Sequence, residues 1–234
     1  MQHQRSSSVL LCIETSGSLC GVALADAASH TLLADISFSE PFLHDRLLAE
    51  AVQSLMTMTA VTFDAIAAVA VSAGPGSFTG LRIGAAFAKA LCFDNSPQLL
   101  PIPTPEAYAL SALPSARILG KNRICVGIPS HKNLVYLQYF MVNGSANDSL
   151  EVNSEGPVQL VEEGSVDIQA NTLYAGTAFA HSPKFPTLPE LFRCTPAMIA
   201  KAAFRRFSEQ ALVLSEDFVP HYSQEFVPKT IVVH

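Results

Sequence analysis

Short apolar runs alternate with polar turns over the first forty residues of the chain. The segment SVLLCIETSGSLCGVALAD has an apolar run on each side of a polar Thr-Ser-Gly-Ser turn, and HTLLADISF is a third run of the same kind. Apolar runs of this length, when turn residues bound them, predict β-strands. We expect three strands that are joined as an antiparallel meander.

Two longer segments carry apolar residues at helical spacing. The first, PFLHDRLLAEAVQSLMTM, repeats them from Leu43 to Met58, and the second extends from about Thr79 to Leu91. Between them, residues 66–71 are apolar without interruption, which favours a strand buried on both faces in a parallel part of a sheet. The first helix is apolar on a second flank as well, which predicts more than one neighbour for it.

Prolines dominate the middle of the chain and predict a boundary there. LLPIPTPEAYALSAL contains three of them before a short helical pattern. Beyond this point NRICVGIP, NLVYLQYFMV and TLYAG predict strands, NGSAND predicts a turn, and PAMIAKAAFRRFSEQAL predicts a helix. The predicted division is therefore into domains 1–103 and 104–234, both α/β, with a similar strand-rich plan.

Composition and charge exclude some functional classes for this chain and favour others. Hydrophobic residues make up 49% of the 234 residues and charged residues only 15%, so some apolar surface is expected to be left for a partner. A formal net charge of -6 has the wrong sign for a chain that must neutralise many nucleic-acid phosphates by itself. No stretch is long enough to span a membrane, and the five scattered cysteines favour reduced thiols, so we expect a cytoplasmic protein.

The glycine-rich turn in VSAGPGSFTGLRIGAAFAKA allows two interpretations. Gly74 and Gly76 flank Pro75, and this combination demands an unusual backbone path. The turn could hold a phosphate near Gly74, Gly76 and Ser77, at the N-terminus of the helix that follows. Alternatively it only redirects the chain, and Ser77 or Thr79 caps the helix. The lysine of a P-loop is missing, which disfavours the phosphate site.

The helix after this turn has two different ridges. Ile83, Phe87 and Leu91 form an apolar ridge that could pack on the sheet, whereas Gly80, Gly84 and Ala88 form a ridge of small residues. A glycine in a helix interior costs about 0.5–1 kcal/mol relative to alanine, so Gly84 requires a reason. We expect the ridge of small residues to let the backbone of a partner come close.

The motifs together resemble a known family. GPGSFTGLRIG, preceded by CIETSGSLCGVAL and HDRLLAEAV, is similar to the TsaB (YeaZ) family of bacterial tRNA threonylcarbamoyladenosine biosynthesis subunits. PTPEAYALSAL, VYLQYF and PHYSQEFVPK extend the resemblance more thinly into the second half. The resemblance implies an actin-like, Hsp70-like ATPase (ASKHA) fold with mixed sheets. Residues 1–103 and 104–234 would then be an N-terminal actin-like domain and a smaller, more divergent C-terminal one.

The resemblance also implies a role and a set of partners. In that family a catalytic paralogue, TsaD, acts with TsaB and the ATPase TsaE to place threonylcarbamoyl on N6 of adenosine 37 in tRNA. The chain would be a non-catalytic scaffold that dimerises with a TsaD-like subunit and meets a TsaE-like ATPase and tRNA only through the complex. It would bind no cofactor alone, with any ATP belonging to the assembled complex. The isolated chain is then either a monomer or a homodimer. We expect the contact surface on helices 43–58 and 79–91, with these participants: Leu43, Leu47, Ala51, Gly80, Gly84 and Ala88.

Residues that the related chemistry needs are replaced in this chain. A metal-binding His-x-x-x-His pair in the paralogue falls on Thr104 and Tyr108 here, so we expect no metal site. Glu14 stands where the family usually has an aspartate near phosphate, and residues 129–131 are Pro-Ser-His where a related motif has Asp-Ala-Arg. We expect Glu14 to be structural rather than catalytic. A small-molecule kinase of the same architecture would require a second acidic phosphate loop, and a degenerate M22-type metallopeptidase would require two convergent histidines.

Overall fold

Two five-stranded sheets and four α-helices make up the part of the chain that the computed structural model describes, which is residues 8–39, 44–94, 96–144, 151–180 and 182–221. The strands of the first sheet are β1 (Val9–Glu14), β2 (Cys20–Asp26), β3 (Thr31–Phe38), β4 (Ile66–Gly74) and β5 (Gln98–Pro103). Those of the second are β6 (Arg123–Pro129), β7 (Leu134–Asn143), β8 (Glu151–Ser154), β9 (Gln159–Glu162) and β10 (Thr172–Ala175). The helices are α1 (His44–Thr59), α2 (Phe78–Leu91), α3 (Thr104–Ile118) and α4 (Pro196–Ser208).

The first sheet has the strand order β3-β2-β1-β4-β5. β1, β2 and β3 pair antiparallel in sequence, whereas β4 lies parallel to both β1 and β5. The predicted meander and the predicted buried parallel strand are both confirmed. Because β1, β4 and β5 run in one direction, their carboxyl ends meet at the same edge of the sheet, and the glycine-rich turn follows β4 there.

β5 is a strand that the sequence did not predict, because Pro101 and Pro103 interrupt the pattern. Proline lacks the N–H group that a central strand needs, but an edge strand tolerates it. β5 is the edge of the first sheet, and on its outer side the Val213 backbone N–H donates to the Leu99 carbonyl at 2.9 Å. The first two prolines of this segment are therefore part of the sheet, whereas Pro105 lies in the first turn of α3.

The second sheet is also mixed. Its order is β10-β6-β7-β8, with β9 on the remaining part of β7. β6 and β10 are parallel, and the other pairs are antiparallel. The predicted strands NRICVGIP, NLVYLQYFMV and TLYAG correspond to β6, β7 and β10, whereas the short strands β8 and β9 were not predicted. Most of the predicted turn NGSAND lies outside the described residues.

Helices cover both faces of the first sheet. One core cluster joins α1 and α2 to one face, and a second core cluster joins α3 and α4 to the other face and to the second sheet. α4 contacts α3 and β1, and its residues Ile199, Ala202 and Ala203 are fully buried. The predicted boundary after residue 103 coincides with the end of the first sheet, and α4 returns from the second half to pack on that sheet. Within the described ranges, no helix is both long and apolar enough to cross a membrane.

Candidate functional site: the α1 and α2 face and the β1–β2 turn

The glycine-rich turn has the unusual backbone that the sequence predicted. Gly74 has a φ of +94°, and a β-carbon on it would lie 2.9 Å from the His221 carbonyl oxygen. His221 is held there because its backbone N–H donates to the Ala73 carbonyl at 2.7 Å. At Gly76 a β-carbon would overlap the Ser16 carbonyl oxygen. Two other segments of the chain therefore approach this turn so closely that only glycine fits.

The hydrogen bonds of the turn support the capping alternative. The Ser77 side chain accepts from the Gly80 backbone N–H at 3.2 Å and so caps α2. The Ser77 backbone N–H donates to the Ser16 carbonyl at 2.7 Å. The β1–β2 turn thus occupies the space beside the helix N-terminus. The backbone N–H and the side chain of Ser77, which a phosphate would need, are therefore engaged within the chain.

The ridge of small residues on α2 faces inwards, and this corrects our expectation. Gly80, Gly84 and Ala88 are all buried. A β-carbon on Gly80 would overlap the Thr15 carbonyl oxygen, and one on Gly84 would overlap Thr15 Oγ1. The backbone that these small residues admit is therefore the chain's own β1–β2 turn. They are not accessible to a partner.

The apolar ridge of α2 lies at the margin of the core. Ile83, Phe87 and Leu91 are only half-buried at the margin of the core between the first sheet and its helices. Phe87 and Leu91 also line a cavity of about 660 Å³ between α1 and α2. The packing expected of the apolar ridge is thus met in part, whereas the small-residue ridge was assigned to the wrong side, because the sequence gave no information on how close the β1–β2 turn comes to α2.

Residues of α1 complete this cavity, which we call the α1–α2 groove. Its main apolar lining residues are Val52, Met56, Val61, Phe63, Phe87 and Leu91. Ala51, which we expected at a partner interface, is 2% exposed and packs on the sheet, so that prediction is wrong. Leu47 is half-buried, and Leu43 lies outside the described residues. Met58 and Phe93, near the ends of the two helices, are 75% and 87% exposed.

Glu14 ends β1 inside the protein. Its Oε1 atom accepts hydrogen bonds from the backbone N–H and the hydroxyl of Ser16, each at 2.6 Å. The whole residue is buried, and burial raises the pKa of the carboxyl group. Both of these hydrogen bonds come from the chain's own turn, which is consistent with a structural role.

The positions that correspond to the paralogue's metal ligands belong to the core. Thr104 and Tyr108 lie one turn apart at the start of α3 and are 1% and 2% exposed. Tyr108 donates a long hydrogen bond of 3.5 Å to the Phe192 carbonyl, and burial raises its pKa. In the described ranges, no three histidine, cysteine, aspartate or glutamate side chains converge as a metal site would require.

The segment 129–131 ends β6 at a cavity of mixed polar and apolar lining in the second half. Ser130 Oγ and His131 Nδ1 are 3.3 Å apart, and the cavity of about 540 Å³ is also lined by Asn133, Glu163 and Thr177. Glu163 is exposed and belongs to the loop after β9. It does not replace the acidic residue that the related Asp-Ala-Arg motif would place at the end of β6.

A family model identifies the group to which the chain belongs. The model for TsaD, tRNA N6-adenosine threonylcarbamoyltransferase, matches residues 42–183, which is more than half of the chain. The chain belongs to the TsaD family. This family assignment agrees with the resemblance that the GPGSFTGLRIG string indicated.

Curated relatives of this TsaD-family chain include proteins named TsaB. The tRNA threonylcarbamoyladenosine biosynthesis protein TsaB of Haemophilus influenzae is 27% identical over 54% of this chain and 51% of its own length. TsaB of Escherichia coli is 28% identical over 54% of this chain and 52% of its own length. A tRNA N6-adenosine threonylcarbamoyltransferase of Anaplasma phagocytophilum is 27% identical over 61% of this chain and 46% of its own length. The chain spans about half the length of the curated relatives it matches.

Solved structures confirm the fold. YeaZ from Pseudomonas aeruginosa superposes with a TM-score of 0.77 at 23% identity, and the match covers 92% of this chain and 99% of that one. A Pseudomonas aeruginosa protein with similarity to peptidase YeaZ gives a TM-score of 0.75 at the same identity over 93% and 100%. The predicted α/β architecture, with two strand-helix halves and mixed sheets, is therefore confirmed.

Proposed function

We propose that the chain is a non-catalytic scaffold subunit of the bacterial tRNA threonylcarbamoyladenosine machinery, which dimerises with a TsaD-like catalytic subunit and supports it. The α1–α2 groove is the observation that carries this proposal. Membership of the TsaD family and the TsaB relatives support a role in threonylcarbamoyladenosine biosynthesis. The groove is a surface through which a subunit without catalytic residues could bind its partner.

The groove has the chemistry of an interface centre. None of the residues that line it carries a charge, and large apolar side chains project from both walls. Interface centres are depleted in charged residues and enriched in Phe and Met. Phe93 and Met58 extend the apolar character beyond the groove. An amphipathic helix of the partner, laid between α1 and α2, would bury these side chains together.

The non-catalytic role is supported by what fills the positions of the paralogue's chemistry. Thr104 and Tyr108 are core residues, and Glu14 is bound by Ser16 in its own turn. A side chain that is enclosed in this way cannot reach a substrate without rearrangement of the turn. The contribution of the chain would therefore be to hold its partner in an active arrangement.

The wider assembly follows from the same proposal. A TsaE-like ATPase would join the complex, and any ATP would be held by the assembly rather than by this chain alone. tRNA would be contacted through the TsaD-like subunit, since a net charge of -6 disfavours binding by the chain itself. The complex would act in the cytoplasm, and a homodimer through the α1–α2 groove is the alternative assembly in the absence of the partner.

Purification with endogenous partners, followed by titration of the purified chain with the TsaD-like subunit, tests the proposal. We expect co-elution and a saturable one-to-one complex. The matched reagent is Ala49→Arg, which puts a long charged side chain at an exposed position on the wall of the groove. Its affinity for the partner should fall at least about tenfold, which corresponds to about 1.4 kcal/mol. ATP-dependent phosphorylation of a small molecule by the chain alone, without a TsaD-like partner, would favour the kinase alternative and refute the proposal.

A further inference from the structure

The Glu14 side chain is enclosed by groups from several elements. It is 0% exposed, and it is the one fully buried carboxyl group among the side chains whose burial the structure describes. Cys194, just before α4, and Ser72 of β4 lie within hydrogen-bonding reach of the carboxyl group. Cys20 of β2 and Tyr108 of α3 are close enough to interact with it electrostatically.

The two carboxyl oxygens of Glu14 are in different surroundings. Oε1 accepts two short hydrogen bonds from Ser16, through its backbone N–H and its hydroxyl group. Oε2 is buried as well, yet within the described part of the chain no hydrogen-bond partner of standard geometry lies beside it. A carboxylate would accept hydrogen bonds on both oxygens, whereas a carboxylic acid has one carbonyl oxygen that accepts and one hydroxyl that donates.

Among the residues that the structure describes, no positively charged side chain acts on the carboxyl group. The titratable side chains that bear on it are Cys20, Cys194 and Tyr108, and each is uncharged when it holds its proton. Burial raises the pKa of Glu14 above its ordinary value of 4.5, and the hydrogen bonds from Ser16 oppose this shift. An isolated buried carboxylate is strongly disfavoured, and such groups take up a proton instead.

We propose that Glu14 is a neutral carboxylic acid in the folded protein, with its proton on Oε2, and that in this form it holds the β1–β2 turn by accepting the hydrogen bonds of Ser16. Oε1, as the carbonyl oxygen, accepts both hydrogen bonds from Ser16. Cys194 and Ser72, which lie within reach of the carboxyl group, are the candidate acceptors for the Oε2 hydroxyl. The proposal goes beyond the scaffold function and does not depend on it.

Two consequences follow for the turn. The Ser16 donors that could hold an exogenous anion are already taken, so the end of β1 is closed to phosphate by the chain itself. Folding is also coupled to a proton, because Glu14 has a higher pKa in the folded than in the unfolded chain. The stabilisation from the neutral acid is complete below pH 4.5, the ordinary value, and is lost progressively as the pH rises through the raised pKa.

Urea unfolding of the wild type, Glu14→Gln and Glu14→Ala between pH 5 and pH 8 tests the proposal. Glutamine keeps a carbonyl oxygen for Ser16 and a donor in place of the Oε2 hydroxyl, but it cannot ionise. We expect the wild type to lose stability relative to Glu14→Gln as the pH rises, and Glu14→Ala to be the least stable at every pH. A wild type that gains stability over Glu14→Gln with rising pH would show that the carboxylate is the native form and overturn the proposal.

Infrared spectroscopy of the wild-type protein with carbon-13-labelled glutamate carboxyl groups gives an answer that needs no variant. We expect a protonated carboxyl band that persists as the pH rises above 4.5, the ordinary pKa of glutamate, and loss of every such band as the pH passes through 4.5 would overturn the proposal. If Glu14→Ala folds, acetate provides a third measurement. Neutral acetic acid should restore its stability more strongly as the pH falls, whereas rescue that increases with pH would indicate an anion site instead.

Discussion

Thr15 Oγ1 lies where a β-carbon on Gly84 would be placed, so that the β1–β2 turn rests directly on the middle of α2. Gly80, one turn earlier, meets the Thr15 backbone carbonyl in the same way. This contact directs the small side of the helix inwards and leaves its larger side chains, Phe87 and Leu91, at the α1–α2 groove. The interface that we propose depends on this orientation of α2.

Gly84→Leu should therefore destabilise the fold. The added side chain would be forced against Thr15, and overpacking of this kind costs about 1–3 kcal/mol or more. Ala86→Leu is the matched control, because Ala86 is exposed on the same helix and the change should stay within about 0.5 kcal/mol. Urea unfolding of both variants measures the difference. Equal stability of the two variants would mean that Thr15 does not pack on α2 as described.

The ion pair between α3 and α4 should contribute more to the free energy of unfolding than the neighbouring ion pair on the surface of α4. Arg206 donates to Glu106 Oε2 from Nε at 2.9 Å and from Nη2 at 2.6 Å, and the Glu106 side chain is only 15% exposed. Arg205 and Glu209 form an exposed pair within one helix.

Glu106→Ala should cost about 1–2 kcal/mol of unfolding free energy, because it leaves a half-buried guanidinium without its partner. Glu209→Ala should cost less than about 0.5 kcal/mol. Thermal or urea unfolding distinguishes the two pairs. A Glu209→Ala variant that is as unstable as Glu106→Ala would contradict the assigned difference.

All five cysteines are free and buried, and this predicts slow reaction with thiol reagents. Burial raises the pKa of Cys20, Cys92 and Cys125 to about 12. We expect almost no modification by a disulfide reagent at pH 8 in the native protein and five modified thiols after unfolding. Because the folded pKa values are raised, these thiols also predict a loss of stability as the pH increases above about 9, the ordinary value. Rapid modification of the native protein would contradict the burial.

Local patterns in the sequence were enough to predict most of the elements. The meander, α1, β4, α2 and α4 follow from apolar spacing and turn residues, which act within a few positions of the chain. β5 was not predicted, because the tolerance of Pro101 and Pro103 depends on their place at the edge of the sheet, which is a property of the whole fold. The family was accessible from one unbroken string, GPGSFTGLRIG.

The site was harder to predict because it depends on contacts between distant segments. Gly84 and Thr15 are far apart in sequence, so the spacing of small residues on α2 could not show which backbone they admit. One signal was available: a glycine on a helix that follows a strand often permits close packing of the helix within its own domain. The location of Glu14 beside Cys194 likewise depends on α4 returning from the second half to the first sheet.

Formation of threonylcarbamoyladenosine in a reconstituted reaction tests the central claim most directly. The reaction would contain tRNA, threonylcarbamoyl-AMP, a TsaD-like subunit and a TsaE-like ATPase, with the chain omitted, present as wild type, or replaced by a variant. Ala49→Arg blocks the groove, and Ala28→Arg places the same side chain on the exposed turn between β2 and β3 as a control. We predict product with the wild type and with Ala28→Arg, and little product without the chain or with Ala49→Arg at the same concentration. The account would be contradicted if the reaction gave as much product without the chain as with it. It would also be contradicted if Ala49→Arg gave as much product as the wild type.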